Sequence, residues 1–132
     1  SEPNEPLFDF VWNSALALDA LESGVSNFHL WFLANLSRLL GFRPGNDYRP
    51  GWWFDIREGL YTPTPPLHPG SMDPARAALL DRLLGLDVRE LGSLGLNRAQ
   101  RSEFLNAMLT YFGYHLDAIS SVRSVHILRE VF

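Results

Sequence analysis

Cysteine and lysine are both missing from this 132-residue chain. Without cysteine there is no disulfide framework, no thiolate metal site and no cysteine nucleophile, which fits a reducing cytoplasm. Without lysine, all eleven basic side chains are arginines. Their planar forks suit recognition of carboxylate or phosphate, although the base composition of a GC-rich genome gives the same bias. Long apolar runs are missing too. The longest, FHLWFLANLSRLLGF, is broken by His29, Asn35, Ser37 and Arg38 and is too short and polar to span a bilayer, so no membrane role is expected. The opening SEPNEP has no basic or apolar signal region and reads as a linker or a cut edge over residues 1–6. Positive charge is in short supply: the formal net charge is -4, so any contact with a phosphate backbone needs a local patch.

What is present is an ordinary globular composition, 46% hydrophobic and 20% charged, at a length that makes one domain with one core. Apolar spacings of three and four predict a first helix over about 7–21, with Leu7, Phe8, Val11, Trp12, Ala15, Leu16, Leu18 and Leu21 as its stripe and Gly24 as its stop. A second helix follows over about 27–40, capped by Ser26 or Asn27 and closed by a left-handed Gly41. A third opens with Asp73 as cap and Pro74 at the first helical position and stops at Gly85. DVREL adds one further turn. A fourth starts at Asn97, whose capping box is completed by Gln100, with positions 104, 105, 108, 109, 112 and 116 apolar. A short terminal helix is expected after Ser124.

Residues 42–70 interrupt this series. WWFDIREGLYT reads as a short hairpin turning at Gly59, and TPTPPLHPG as an extended, stiff strap. The class is therefore all-α, four to six helices with a small β-hairpin insert.

Chemistry is sparse. His29, His68, His115 and His126 have neither each other nor cysteine at ligand spacing, so neither metal nor cofactor is expected. There is no G-x-S-x-G and no phosphate-binding glycine motif. A hydrolase built on Asp55 or His68 lacks a second signal, and the chain reads as not an enzyme. The denser signal is Arg38, Arg43, Arg49 and Arg57 close to Trp31, Phe42, Tyr48, Trp52 and Trp53. Such a mixture suits a peptide that brings an apolar anchor and carboxylates. The same residues also serve simply to glue and solvate the hairpin.

NFHLWFLANLSRLLGFRP, the insert, and YFGYHLDAISSVRSVHILREVF together resemble the helical C-terminal region of the RecO family of bacterial recombinational repair proteins, in its Bacteroidetes form. Leu40-Gly41-Phe42 with Pro44 matches the family's Leu-Gly-aromatic ending, and Ser124, Leu128, Arg129 and Glu130 match its terminal segment. The resemblance implies a helical domain over 7–132 whose insert occupies the slot of a four-cysteine zinc module, and an N-terminal OB-fold that this chain lacks. It implies a noncatalytic, cytoplasmic repair mediator, a monomer, that binds the acidic C-terminal tail of single-strand-binding protein, works with RecR to load RecA, and anneals strands. Single-stranded DNA would be engaged mainly through the missing domain. The tail would meet His29, Trp31, Arg38, Phe42 and Arg43, and DNA a patch of Arg98, Arg101, Arg123 and Arg129. The alternative is an unrelated helical protein-protein interaction module.

Overall fold

A computed structural model describes the backbone of residues 5–131 and the side chains of 5–118. Four α-helices surround a small sheet: α1 (Glu5–Ala20), α2 (Phe28–Leu39), β1 (Trp53–Asp55), β2 (Leu60–Thr62), β3 (Ser71–Met72), α3 (Pro74–Gly85) and α4 (Arg98–Val131). Two 3₁₀ segments, Val25–Asn27 and Val88–Ser93, join the helices.

Helix ends follow their local chemistry. The Asp73 side chain accepts the Arg76 N–H at 3.0 Å, and Pro74, which has no N–H to satisfy, takes the first helical position. Asn97 and Gln100 exchange hydrogen bonds of 2.9 and 2.8 Å, side chain to backbone in both directions. At the end of α2, Gly41 has a φ of 92°, which lets the Phe42 N–H turn back to the Ser37 carbonyl at 3.0 Å. Asn27, by contrast, does not cap α2. Its amide reaches across to the Leu91 and Leu94 carbonyls instead, at 3.2 and 3.4 Å.

The predicted hairpin is one side of a three-stranded antiparallel sheet in the order β2-β1-β3. Phe54 in the central strand faces Tyr61 on one neighbour and Met72 on the other. The third strand corrects the reading of a single hairpin. The proline strap bends rather than running straight, leaving Leu67 fully exposed, and so brings Ser71 and Met72 back beside β1. Ile56 N–H continues that pairing to the Gly70 carbonyl at 2.9 Å.

A second correction concerns the C-terminal helices, which are one continuous helix of 34 residues, about 50 Å long at 1.5 Å per residue. Between Tyr114 and Val131 there is no glycine or proline to stop it. Its first half supplies Phe104, Met108, Tyr111 and Phe112 to the core at spacings of four, three and one. Leu30 and Ala34 of α2, Leu80 and Leu83 of α3, and Phe54, Tyr61 and Met72 of the sheet complete that core. Each such large side chain contributes about 1.5–3 kcal/mol by leaving water.

Three long-range hydrogen bonds fix the sheet. The Tyr111 hydroxyl donates to the Phe42 carbonyl, and the His115 Nε2–H to the Ile56 carbonyl at 2.9 Å. The Gly45 N–H reaches the Gly59 carbonyl at 2.8 Å. Phe42 packs edge-on against Phe112 with centroids 5.1 Å apart and stacks on His115. Aromatic and polar contacts thus hold the insert to α4.

Candidate functional site

Trp31, Asn35 and Arg38 sit four and three residues apart and so share one face of α2. Each donates to a backbone carbonyl at the end of α3. The Trp31 indole N–H reaches Leu86 at 2.9 Å, the Asn35 amide Leu83 at 3.1 Å, and the Arg38 guanidinium Leu84 at 2.8 Å. A helix leaves its last four carbonyls without internal partners, and this row satisfies two of those of α3, Leu83 and Leu84, together with the carbonyl of Leu86 that follows it. The cation of Arg38 also lies at the negative end of that helix. Two of the expected tail contacts therefore have partners within the fold. A third, Phe42, is buried in the core.

Arg38 and Arg43 are close enough to repel. Partial burial, and then the charge of Arg43, push the Arg38 guanidinium below its ordinary value. Arg43 donates to the Pro44 carbonyl at 3.0 Å. Among the described residues neither guanidinium has a carboxylate partner within ion-pair distance.

His29 stands two residues before Trp31, which is 200° around a helix, and faces the other way. It is exposed and lines an open cleft together with Ser26, Arg98, Arg101, Ser102 and Leu105. The fold thus brings His29, expected against the protein tail, together with Arg98 and Arg101, expected against DNA. Arg101 is braced by a 2.7 Å bond to the Leu96 carbonyl. The cleft lies at the N-terminal turns of α2 and α4, whose open N–H groups add partial positive charge. In the sequence Ser26 reads only as a candidate helix cap and Leu105 only as part of an apolar face, and Ser102 is not singled out. The spacing of Leu105, four residues after Arg101, is the signal that could have placed it. The side chains of Arg123, Arg129 and His126 lie outside the described residues.

Asp55 and His68 form a pair at 2.9 Å. The Gly70 N–H donates to His68 Nδ1 at 3.0 Å, so Nδ1 is the bare nitrogen and Nε2–H donates to Asp55. Both ring nitrogens are thereby engaged, and neither is left to take a proton from a substrate. Asp55 also accepts the Glu58 N–H at 3.0 Å. Burial pushes the Asp55 carboxyl up, but the hydrogen bonds from the Glu58 N–H, His68 and the Arg57 N–H outweigh it and hold the group below its usual value. The pair is a clasp between strap and hairpin. Among the described residues no cluster of three metal-ligating side chains occurs, and no helix is long and apolar enough to cross a membrane.

Comparison with known proteins bears on these surfaces. The family model described as "Recombination protein O C terminal" matches residues 1–123. The chain belongs to the RecO family. The DNA repair protein RecO of Bacteroides fragilis is 34% identical over 131 residues, covering 98% of this chain and 54% of the relative. That of Azobacteroides pseudotrichonymphae is 32% identical over 127 residues, covering 96% and 53%. The RecO of Christiangramia forsetii is 31% identical over 131 residues, covering 99% and 54%. The chain thus spans about half the length of these curated relatives, and its match is to the C-terminal part of the RecO family. No solved structure matches it significantly. Family membership argues against an unrelated helical module, and the relatives that the chain resembles are named as DNA repair proteins.

Proposed function

We propose that this RecO region is a noncatalytic, cytoplasmic mediator of recombinational repair. It docks the acidic, apolar C-terminal tail of single-strand-binding protein and acts with RecR in loading RecA and annealing strands. The observation that carries the reading is the cleft in which His29, Arg98 and Arg101 meet the apolar side of Leu105. Guanidinium groups beside a greasy floor suit a peptide ending in carboxylates and an aromatic ring. The overall charge of -4 favours a short local contact over a long phosphate track. Arg38 and Arg43, two cations without a carboxylate partner among the described residues, form a second seat for tail acids at the far end of α2.

Fluorescence anisotropy of a labelled tail peptide, titrated with the chain, tests this. Binding should weaken as salt rises, and Arg98→Ala with Arg101→Ala should weaken it about tenfold or more, the scale of a lost charge-assisted hydrogen bond. Arg38→Ala with Arg43→Ala should have the smaller effect. Reversed sensitivities would move the tail to the end of α2. A labelled single strand bound better than the tail, through the same arginines, would make the cleft a DNA contact. Absence of both bindings in the folded chain overturns the proposal.

A further inference from the structure

Helix α1 is apolar on both sides, and among the described residues one side is covered while the other is exposed. Ser14 is buried against α2, and Phe10 stacks on Phe32 with centroids 5.3 Å apart and leans on Trp31 at 5.8 Å. Ala17 lies on the same inward side, one turn on from Ser14. The outward side carries Phe8, Val11, Trp12 and Leu16, all between 46% and 65% exposed. Phe8 and Trp12, one turn apart, stack in parallel at 6.4 Å. The predicted stripe of this helix is largely this exposed face. A contiguous aromatic and aliphatic face of this kind marks a docking surface rather than scattered surface residues.

Charge and chain order say what covers it. The helix holds Glu5, Asp9 and Asp19 and no basic residue, so two copies laid face to face would bring like charges together. The matched family model is the C-terminal one, and the curated relatives are nearly twice as long as the matched region. Their remaining half therefore precedes the counterpart of α1. A domain attached at that end is held near the face at high effective concentration.

We infer that the outward face of α1 is the seat of the domain that precedes this region in RecO proteins. That domain meets Phe8, Trp12 and Leu16 with an apolar surface rimmed by basic side chains. The face is then an internal joint of the longer protein, separate from the arginine cleft on α2 and α4.

Hydroxyl-radical footprinting, read by mass spectrometry on the 132-residue chain and on the complete product of its gene, tests the assignment. Phe8 and Trp12 should oxidise several-fold more slowly in the complete product, while exposed Tyr114 on α4 reacts equally in both. Phe8→Asp with Trp12→Asp should lower the melting temperature of the complete product and leave that of the 132-residue chain unchanged. Equal oxidation of Phe8 and Trp12 in the two proteins overturns the inference, as does a gene product that does not extend before residue 1. Protection that instead grows with concentration of the 132-residue chain, and disappears in Trp12→Asp, assigns the face to a second copy and overturns it too.

Discussion

The Tyr111 hydroxyl donates to the carbonyl of Phe42, 69 residues earlier in the chain. Tyr61, also buried, has a hydroxyl with no hydrogen-bond partner among the described residues. Burial pushes both phenols up from their ordinary value, but only one of them holds the fold together.

The two tyrosines should therefore respond oppositely to loss of the oxygen. Tyr111→Phe leaves a buried carbonyl unpaired and should cost about 1–3 kcal/mol in urea unfolding. Tyr61→Phe removes an unpaired polar group and should be neutral or stabilising by about 1 kcal/mol. Equal losses in both would contradict the hydrogen-bond assignment.

The Asp55–His68 clasp predicts a specific acid sensitivity. The Asp55 carboxyl lies below its usual value in the folded chain, so its stabilisation is complete above the unfolded value near pH ~4. It is lost as pH falls through the lower, folded value. Asp55→Asn keeps the shape and removes the titration. Stability measured from pH 7 downward should start lower in the variant and fall less steeply below pH ~4 than in the parent.

Two glycines with similar backbone angles should differ in cost. Gly24 has a φ of 79°, and a Cβ there would stand 2.4 Å from the backbone nitrogen of Gly92. Gly41 has a φ of 92° and open space around it. Gly41→Ala should cost about 1–2 kcal/mol, the left-handed penalty alone. Gly24→Ala adds a clash with backbone and should cost more than that or prevent folding, as thermal melts would report.

Asn35 joins α2 to α3 through the Leu83 carbonyl and also donates to Trp31 within its own helix. Asn35→Ala should destabilise the chain by about 1–3 kcal/mol, because the α3 carbonyl loses its partner in a buried place. Hydrogen exchange should show the last turn of α3 opening first.

Much of this was legible in the sequence where the physics is local. The boundaries of α3, the capping box of Asn97 and Gln100, and the turn glycines Gly41 and Gly59 follow from side chains within four residues of one another. What was hidden depends on distant partners. β3 is two residues long and exists because the strap bends back to Phe54 and Asp55. Tyr111 falls outside the predicted apolar face of α4, yet its ring is buried and its hydroxyl anchors Phe42. Trp31 and Arg38 look like partner contacts until α3 arrives with open carbonyls. His29 and Arg98, 69 residues apart, meet only because α2 and α4 begin side by side.

The clasped insert also bears on how the molecule weathers oxidants. A peroxide that attacks DNA attacks thiolates as well, and a finger held by zinc and sulfur would open under such conditions. Here the joint is made of a carboxylate, an imidazole and tyrosine rings. The two sulfur atoms of the chain, in Met72 and Met108, are fully sealed from solvent. The insert should keep its shape through the same oxidative stress that damages DNA.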